Sequence, residues 1–129
     1  MRRMLEPYAA RKAAERRTPA QLVELRELVA EGVESIRQRD IVVNSRVNSR
    51  FHSVIAEAVG NRIICDSLKD LQSRIRRYYV EIDWKTRRDS FAEHKRIYEA
   101  IRDQDADRAE KLTNEHLDHA ESYAERPAG

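Results

Sequence analysis

Apolar residues recur along most of this chain at intervals of three and four, the spacing that lines one side of an α-helix. The pattern predicts six helices. The first covers Arg2 to Arg16 and is rich in alanine, the best helix former. Thr18-Pro19 reads as an N-cap with proline at the first helical position. It opens a second helix from Pro19 to about Gln38, with Leu22, Leu25, Leu28 and Val29 on one face, weakened near its end by Gly32 and Val33. Asp40 caps a third helix that ends at Val59, and Gly60-Asn61 supplies a C-cap glycine and the next N-cap. The fourth runs from Asn61 to about Trp84, with Ile64, Leu68, Leu71, Ile75, Tyr78 and Ile82 at helical spacing. Asp89 or Ser90 caps a fifth that reaches Arg102 and turns Phe91, His94, Tyr98 and Ile101 inward. Asp105 caps the last, up to about Ala124, with Ala109, Leu112, His116, Ala120 and Tyr123 inward. Short connections between long helices predict an all-α antiparallel bundle.

Composition narrows this picture. The chain has 129 residues with only three glycines and three prolines, so residues 1–129 read as one domain with almost no material for a linker. Hydrophobic residues at 40% and charged residues at 37% suit amphipathic helices with solvated outer faces. Twenty-five basic side chains against 23 acidic ones leave a net charge of only +2, short of the field expected of a dedicated nucleic-acid binder. The basic stretch from Arg74, Arg76 and Arg77 through Lys85, Arg87 and Arg88 is interrupted by Glu81 and Asp83 and reads as a solvated face. The single cysteine, Cys65, excludes an internal disulfide and reads as a small buried residue beside Ile63 and Ile64. No signal peptide opens the chain, and no segment approaches the roughly 20 apolar residues that cross a bilayer, so the cytoplasm is the default compartment.

The chemistry concentrates on three histidines. His52, His94 and His116 each fall at the edge of the apolar stripe of a different helix. Histidine is a costly choice on a packing face unless its nitrogens have partners, and one metal ion could employ all three. Asn48 stands one turn before His52; within the tandem repeat Val43-Asn44-Ser45-Arg46 and Val47-Asn48-Ser49-Arg50, the four-residue period puts Asn44, Asn48 and His52 on one ridge. The competing explanation is that each histidine simply hydrogen-bonds within the core. His119 follows His116 by one turn and reads as exposed, with an outer supporting role as the alternative. Imidazole suits zinc, nickel, copper, iron and cobalt, so the histidines alone do not name the metal. No His-Glu-x-x-His motif, nucleophile elbow, phosphate loop or dinucleotide fingerprint accompanies them, and nothing in the chain calls for catalysis. Two readings of the histidines stay open at this point: a small metal-dependent hydrolase or lyase, and a metal-free helical oligomerisation module.

The order of the motifs adds a resemblance. Leu5-Glu6-Pro7-Tyr8-Ala9-Ala10, followed by Ala13-Ala14-Glu15-Arg16-Arg17-Thr18-Pro19, resembles the opening of the C-terminal effector domain (the FCD domain) of FadR-type GntR regulators. Asn48-x-x-Phe51-His52, Gly60-Asn61, Glu93-His94-x-x-Ile97 with Ala100-Ile101, and Asp105-x-x-x-Ala109 leading to Glu115-His116-Leu117 follow in the same order. The resemblance implies an antiparallel helical bundle that dimerises and senses a small molecule, often a carboxylate. Many members hold a divalent metal through an aspartate and three histidines. Here His52, His94 and His116 match the histidines, and Asn48 stands where the aspartate is usual. Zinc and nickel lead the candidate metals. An amide oxygen brings no charge, so the substitution implies weaker metal affinity and a greater demand for an anionic effector. Arg2 matches an arginine of the family's first helix that could meet an effector carboxylate, and Gln72, Arg76 and Tyr79 could line the pocket. The family reads DNA through a winged helix-turn-helix, which is not expected within these 129 residues, so DNA would be a partner only through that module.

Overall fold

The six helices are closed mostly by the residues that the sequence marks for it. The computed structural model describes residues 2–79 and 82–124, with side chains for all of these except 76–79 and 121–124. The helices are α1 (Arg2–Arg16), α2 (Pro19–Arg37), α3 (Ile41–Ala58), α4 (Arg62–Tyr79), α5 (Trp84–Arg102) and α6 (Ala106–Ala124). Thr18 and Gln21 form a reciprocal capping box at the start of α2: Gln21 N–H donates to Thr18 Oγ1 at 3.1 Å, and Thr18 N–H donates to Gln21 Oε1 at 2.9 Å. Asp40, Asn61 and Asp105 accept from Val43, Ile64 and Arg108 backbone N–H groups, each at 3.1 Å. Gly60 takes φ +76° after α3, a conformation that favours glycine. Arg39 and Gln104, both at φ 55°, do the same after α2 and α5. There the following aspartate N–H returns to the helix, Asp40 to Ser35 O and Asp105 to Ala100 O, each at 2.9 Å.

One boundary differs from the sequence reading. α4 ends at Tyr79 rather than at Trp84, and Asp83, not Asp89 or Ser90, caps α5 by accepting from Thr86 N–H at 2.7 Å. Asp89 and Ser90 lie in the second turn of α5, where no orphan backbone donors need a cap. Ile82 continues the apolar spacing across the break, which is why the pattern concealed it.

α1 packs against α3, α4, α5 and α6, while α2 lies against α3 and α5. This central placement follows from side-chain size. Ala9, Ala10, Ala13 and Ala14 are all buried and let neighbouring backbones approach closely. The core continues through Leu25, Leu28, Val47, Phe51, Val54, Phe91, Ile97, Ile101, Ala109 and Leu112. Gly32 is part of this packing. A Cβ there would lie 1.9 Å from Cε1 of Phe91, so α2 and α5 meet only because position 32 has no side chain. Cys65 is half-buried rather than buried.

The solvated-face reading of the basic stretch fails at Arg87. Arg74, Lys85 and Arg88 are exposed, but Arg87 is 0% exposed, and its charge is accommodated by hydrogen bonds inside the bundle. The side chains of Arg76, Arg77, Tyr78, Tyr79, Glu81 and Tyr123, invoked from the sequence, lie outside the described residues. No described helix is long and apolar enough to cross a membrane.

Candidate metal centre

The bundle brings the three histidines together from α3, α5 and α6. One ligating atom from each of His52, His94 and His116 lies within 4.8 Å of the others. An ion about 2.0–2.1 Å from each nitrogen can bridge such a group after small ring rotations. The centroids of His52 and His94 are 4.9 Å apart, as are those of His94 and His116, each pair meeting edge to face. Phe51 stacks on His94 at 4.5 Å with 13° between the planes, and Phe91 meets its edge at 4.8 Å. The aromatic walls fix the ring and keep water from it.

His94 is the informative member. It is fully buried, and neither Nδ1 nor Nε2 has a hydrogen-bond partner. Among the described residues, the only other buried side-chain polar atom in that condition is Ser45 Oγ. An orphaned buried polar group costs about 1–3 kcal/mol, and both His94 nitrogens are orphaned. Burial pushes the pKa of His94 well below that of an ordinary histidine, with the nearby His116, His52 and Arg2 adding to the effect. Burial does the same to His52, assisted by His116 and Arg2. Both imidazoles are therefore neutral at pH 7 and hold a lone pair available to a cation.

His116 is held from behind. Its Nδ1 lies 2.7 Å from Oε1 of Glu93 on α5, leaving Nε2 free to face the other histidines. His119, exposed as the sequence suggests, pairs through Nδ1 with the second oxygen of the same carboxylate. Burial raises the pKa of Glu93, but the hydrogen bonds from His116 and His119 outweigh it and leave the pKa below the usual carboxylate value. The bond to Glu93 in turn raises the pKa of His119. A carboxylate behind a ligating imidazole fixes its tautomer and ring orientation.

Asn48 is buried on α3, one turn before His52. Arg2, half-buried on α1, donates from Nε to Oε2 of Glu6 at 2.5 Å. Gln72 is buried and donates to Oε1 of the same carboxylate at 3.2 Å. Glu6 Oε1 also lies 3.6 Å from His52 Nδ1. Beside these groups is a small cavity of about 20 Å³, room for about one water molecule, between Glu6 and Ala10 of α1, His52 of α3, Gln72 of α4, Ile97 of α5 and Thr113 of α6.

Sequence reasoning missed Glu6 and Glu93 as parts of this centre. Glu93 carried a signal, because it directly precedes His94 and, one turn before Ile97 and two before Ala100, sits beside the buried face of α5. Glu6 carried a stronger one: with Ala10 and Ala13 it follows the i, i+4, i+7 spacing of a buried ridge, where a carboxylate needs a partner.

Comparison with known proteins agrees with this architecture. Residues 1–119 match the FCD domain family. The galactonate operon transcriptional repressor of Escherichia coli (strain K12) is 29% identical over 115 residues, which cover 86% of this chain and 49% of that protein. The structure of Streptococcus agalactiae GntR superposes with a TM-score of 0.75 at 27% identity, over 92% of this chain and 54% of that one. E. coli McbR/YncC shares the fold, with a TM-score of 0.82 at 22% identity over 95% of this chain and 63% of that one. The chain thus spans about half the length of the curated relative it matches, and that relative is a transcriptional regulator rather than an enzyme. The chain belongs to the FCD domain family, the effector-sensing domains of GntR-type transcriptional regulators.

Proposed function

We propose that this domain senses a small carboxylate through a divalent metal centre, zinc or nickel first among the candidates. His52, His94 and His116 hold the ion, and the Asn48 side-chain oxygen is the fourth protein ligand. The ion, when bound, supplies a positive Lewis-acidic centre with open positions that a carboxylate oxygen can fill. The chain's own groups do the rest. Phe51 and Phe91 exclude water from His94, Glu93 holds His116, and the side of the centre beside His52 is where the helices part to take the body of the effector. Arg2 meets an effector carboxylate in this reading, in exchange for part of its bond to Glu6.

The observation that carries the proposal is the pair of orphaned His94 nitrogens at the middle of three converging imidazoles. A purely structural core histidine would have found a backbone carbonyl. The name of the galactonate relative makes a sugar acid the first effector to try.

In the full regulatory reading, the domain works in the cytoplasm as a homodimer. It reaches DNA through a winged helix-turn-helix outside this bundle. Effector binding shifts the population of bundle geometries by its differential affinity for them and so changes the spacing of the DNA-reading heads.

Elemental analysis of protein purified without a histidine tag tests the centre directly. The expected result is about one metal equivalent per chain, lost in His94→Ala, with zinc raising the melting temperature of the wild type alone. No metal in the wild type after reconstitution with zinc and nickel would overturn the proposal.

A further inference from the structure

We propose that Glu6 is the positioning carboxylate of His52, serving that imidazole from α1 as Glu93 serves His116 from α5. The inference rests on the metal-binding reading above and deepens it. Glu6 is buried on a ridge that otherwise carries alanine, a placement that is unfavourable unless the carboxylate is partnered. Its partners come from three helices. Arg2 binds Oε2, while Gln72 and His52 both approach Oε1, at 3.2 and 3.6 Å.

The approach of His52 is through Nδ1, the same nitrogen by which His116 meets Glu93. At 3.6 Å it is an electrostatic contact rather than a full hydrogen bond, and a small rotation of either side chain closes it. Because Arg2 occupies the other carboxylate oxygen, Oε1 remains directed toward Gln72 and His52. Two of the three imidazoles therefore have an anion behind Nδ1, which leaves Nε2 as the ligating atom. His94, with no partner at either nitrogen, is the third.

This arrangement changes the expectation drawn from Asn48. The position usually occupied by an aspartate brings no charge here, but two carboxylates stand one step further out, each behind a ligand. The centre is accordingly less deprived of negative surroundings than the substitution at 48 suggests.

Two measurements on Glu6→Gln test the assignment. Long-range proton–nitrogen NMR of the imidazoles in metal-free protein should show His52 protonated at Nδ1 in the wild type, with that preference lost in the variant. Competition with a chromogenic chelator should show zinc affinity falling about 10- to 100-fold in the variant, the usual effect of removing such a supporting group. A merely structural role for Glu6 would lower the melting temperature of the metal-free protein and leave both readouts unmoved; that result overturns the proposal. If the wild type takes up no zinc, the metal reading fails by itself, and an unchanged His52 tautomer in Glu6→Gln still overturns this one. Should Glu6→Gln fail to fold, Glu6→Asp retracts the carboxylate by one methylene and is expected to shift both readouts in the same direction.

Discussion

Two groups of polar side chains lie inside this bundle, and they are built on opposite rules. At one end, Arg87 donates from Nη1 to Oδ1 of Asn44 at 2.8 Å and from Nε to the Ile82 carbonyl at 2.9 Å. Asn44 donates to Ser35 Oγ at 3.0 Å, and Ser35 donates to the Gly32 carbonyl at 2.7 Å. The Arg87 guanidinium also lies 5.4 Å from the centroid of the Trp84 ring, which has Arg39 5.6 Å from the same centroid. In the other group, His94 has equal burial and no hydrogen bond at all. A completed buried network specifies how helices dock; an uncompleted one in the same core marks where something else is meant to bind. The first ties α2, α3 and α5 together, and the second faces the centre where α3, α5 and α6 converge.

The largest expected effect breaks the completed side of this comparison. Arg87→Met keeps most of the aliphatic volume but leaves Asn44 Oδ1 and the Ile82 carbonyl without their donor. Removing one partner from such a network costs about 2–5 kcal/mol. Urea unfolding should show a lower midpoint with an unchanged slope. A loss below about 1 kcal/mol would mean that water or a neighbouring side chain replaces the guanidinium at little cost, and the network would lose its structural role.

His94→Leu tests the other side, with the opposite sign. The leucine fills a similar volume between Phe51 and Phe91 and removes two orphaned polar atoms. The metal-free variant should be more stable than the metal-free wild type by about 1–2 kcal/mol, while zinc no longer raises its melting temperature. A destabilised His94→Leu would show that the histidine is held by its packing, and the contrast between the two groups would collapse.

The difference also explains what the sequence could reveal. Helix periodicity and capping residues are local, so five of the six starts were legible from Thr18-Pro19, Asp40, Asn61, Asp105 and the alanine-rich opening. The start of α5 was obscured because Ile82 extends the apolar spacing through the break and Asp89 and Ser90 resemble caps. The three histidines were legible because a polar residue on an apolar stripe is conspicuous by itself. Arg87 was not, since a basic residue among basic residues looks solvated until Asn44 and Ser35, 43 and 52 positions away, are seen beside it. Glu6 and Glu93 were missed for the same reason: their significance lies in imidazoles contributed by other helices.

The smallest effect sharpens the comparison through pH. His52 and His94 titrate well below 6.5 in the folded metal-free protein, chiefly because burial disfavours their charged forms. In the unfolded chain they return to about 6.5. Below that value the unfolded state binds protons that the native state refuses, so stability is fully present above pH 6.5 and is lost as pH falls. The slope approaches about 1.4 kcal/mol per pH unit for each histidine. His119 works in the opposite direction, since Glu93 raises its pKa, but it is largely exposed and solvent screens its contribution. The loss begins in the window between pH 6.5 and 5. Stability measured across that window should fall more steeply in metal-free wild type than in His94→Leu, which has lost one of the two groups. Parallel profiles would mean that His94 keeps an ordinary proton affinity in the folded protein, and so that its nitrogens reach solvent or a partner after all.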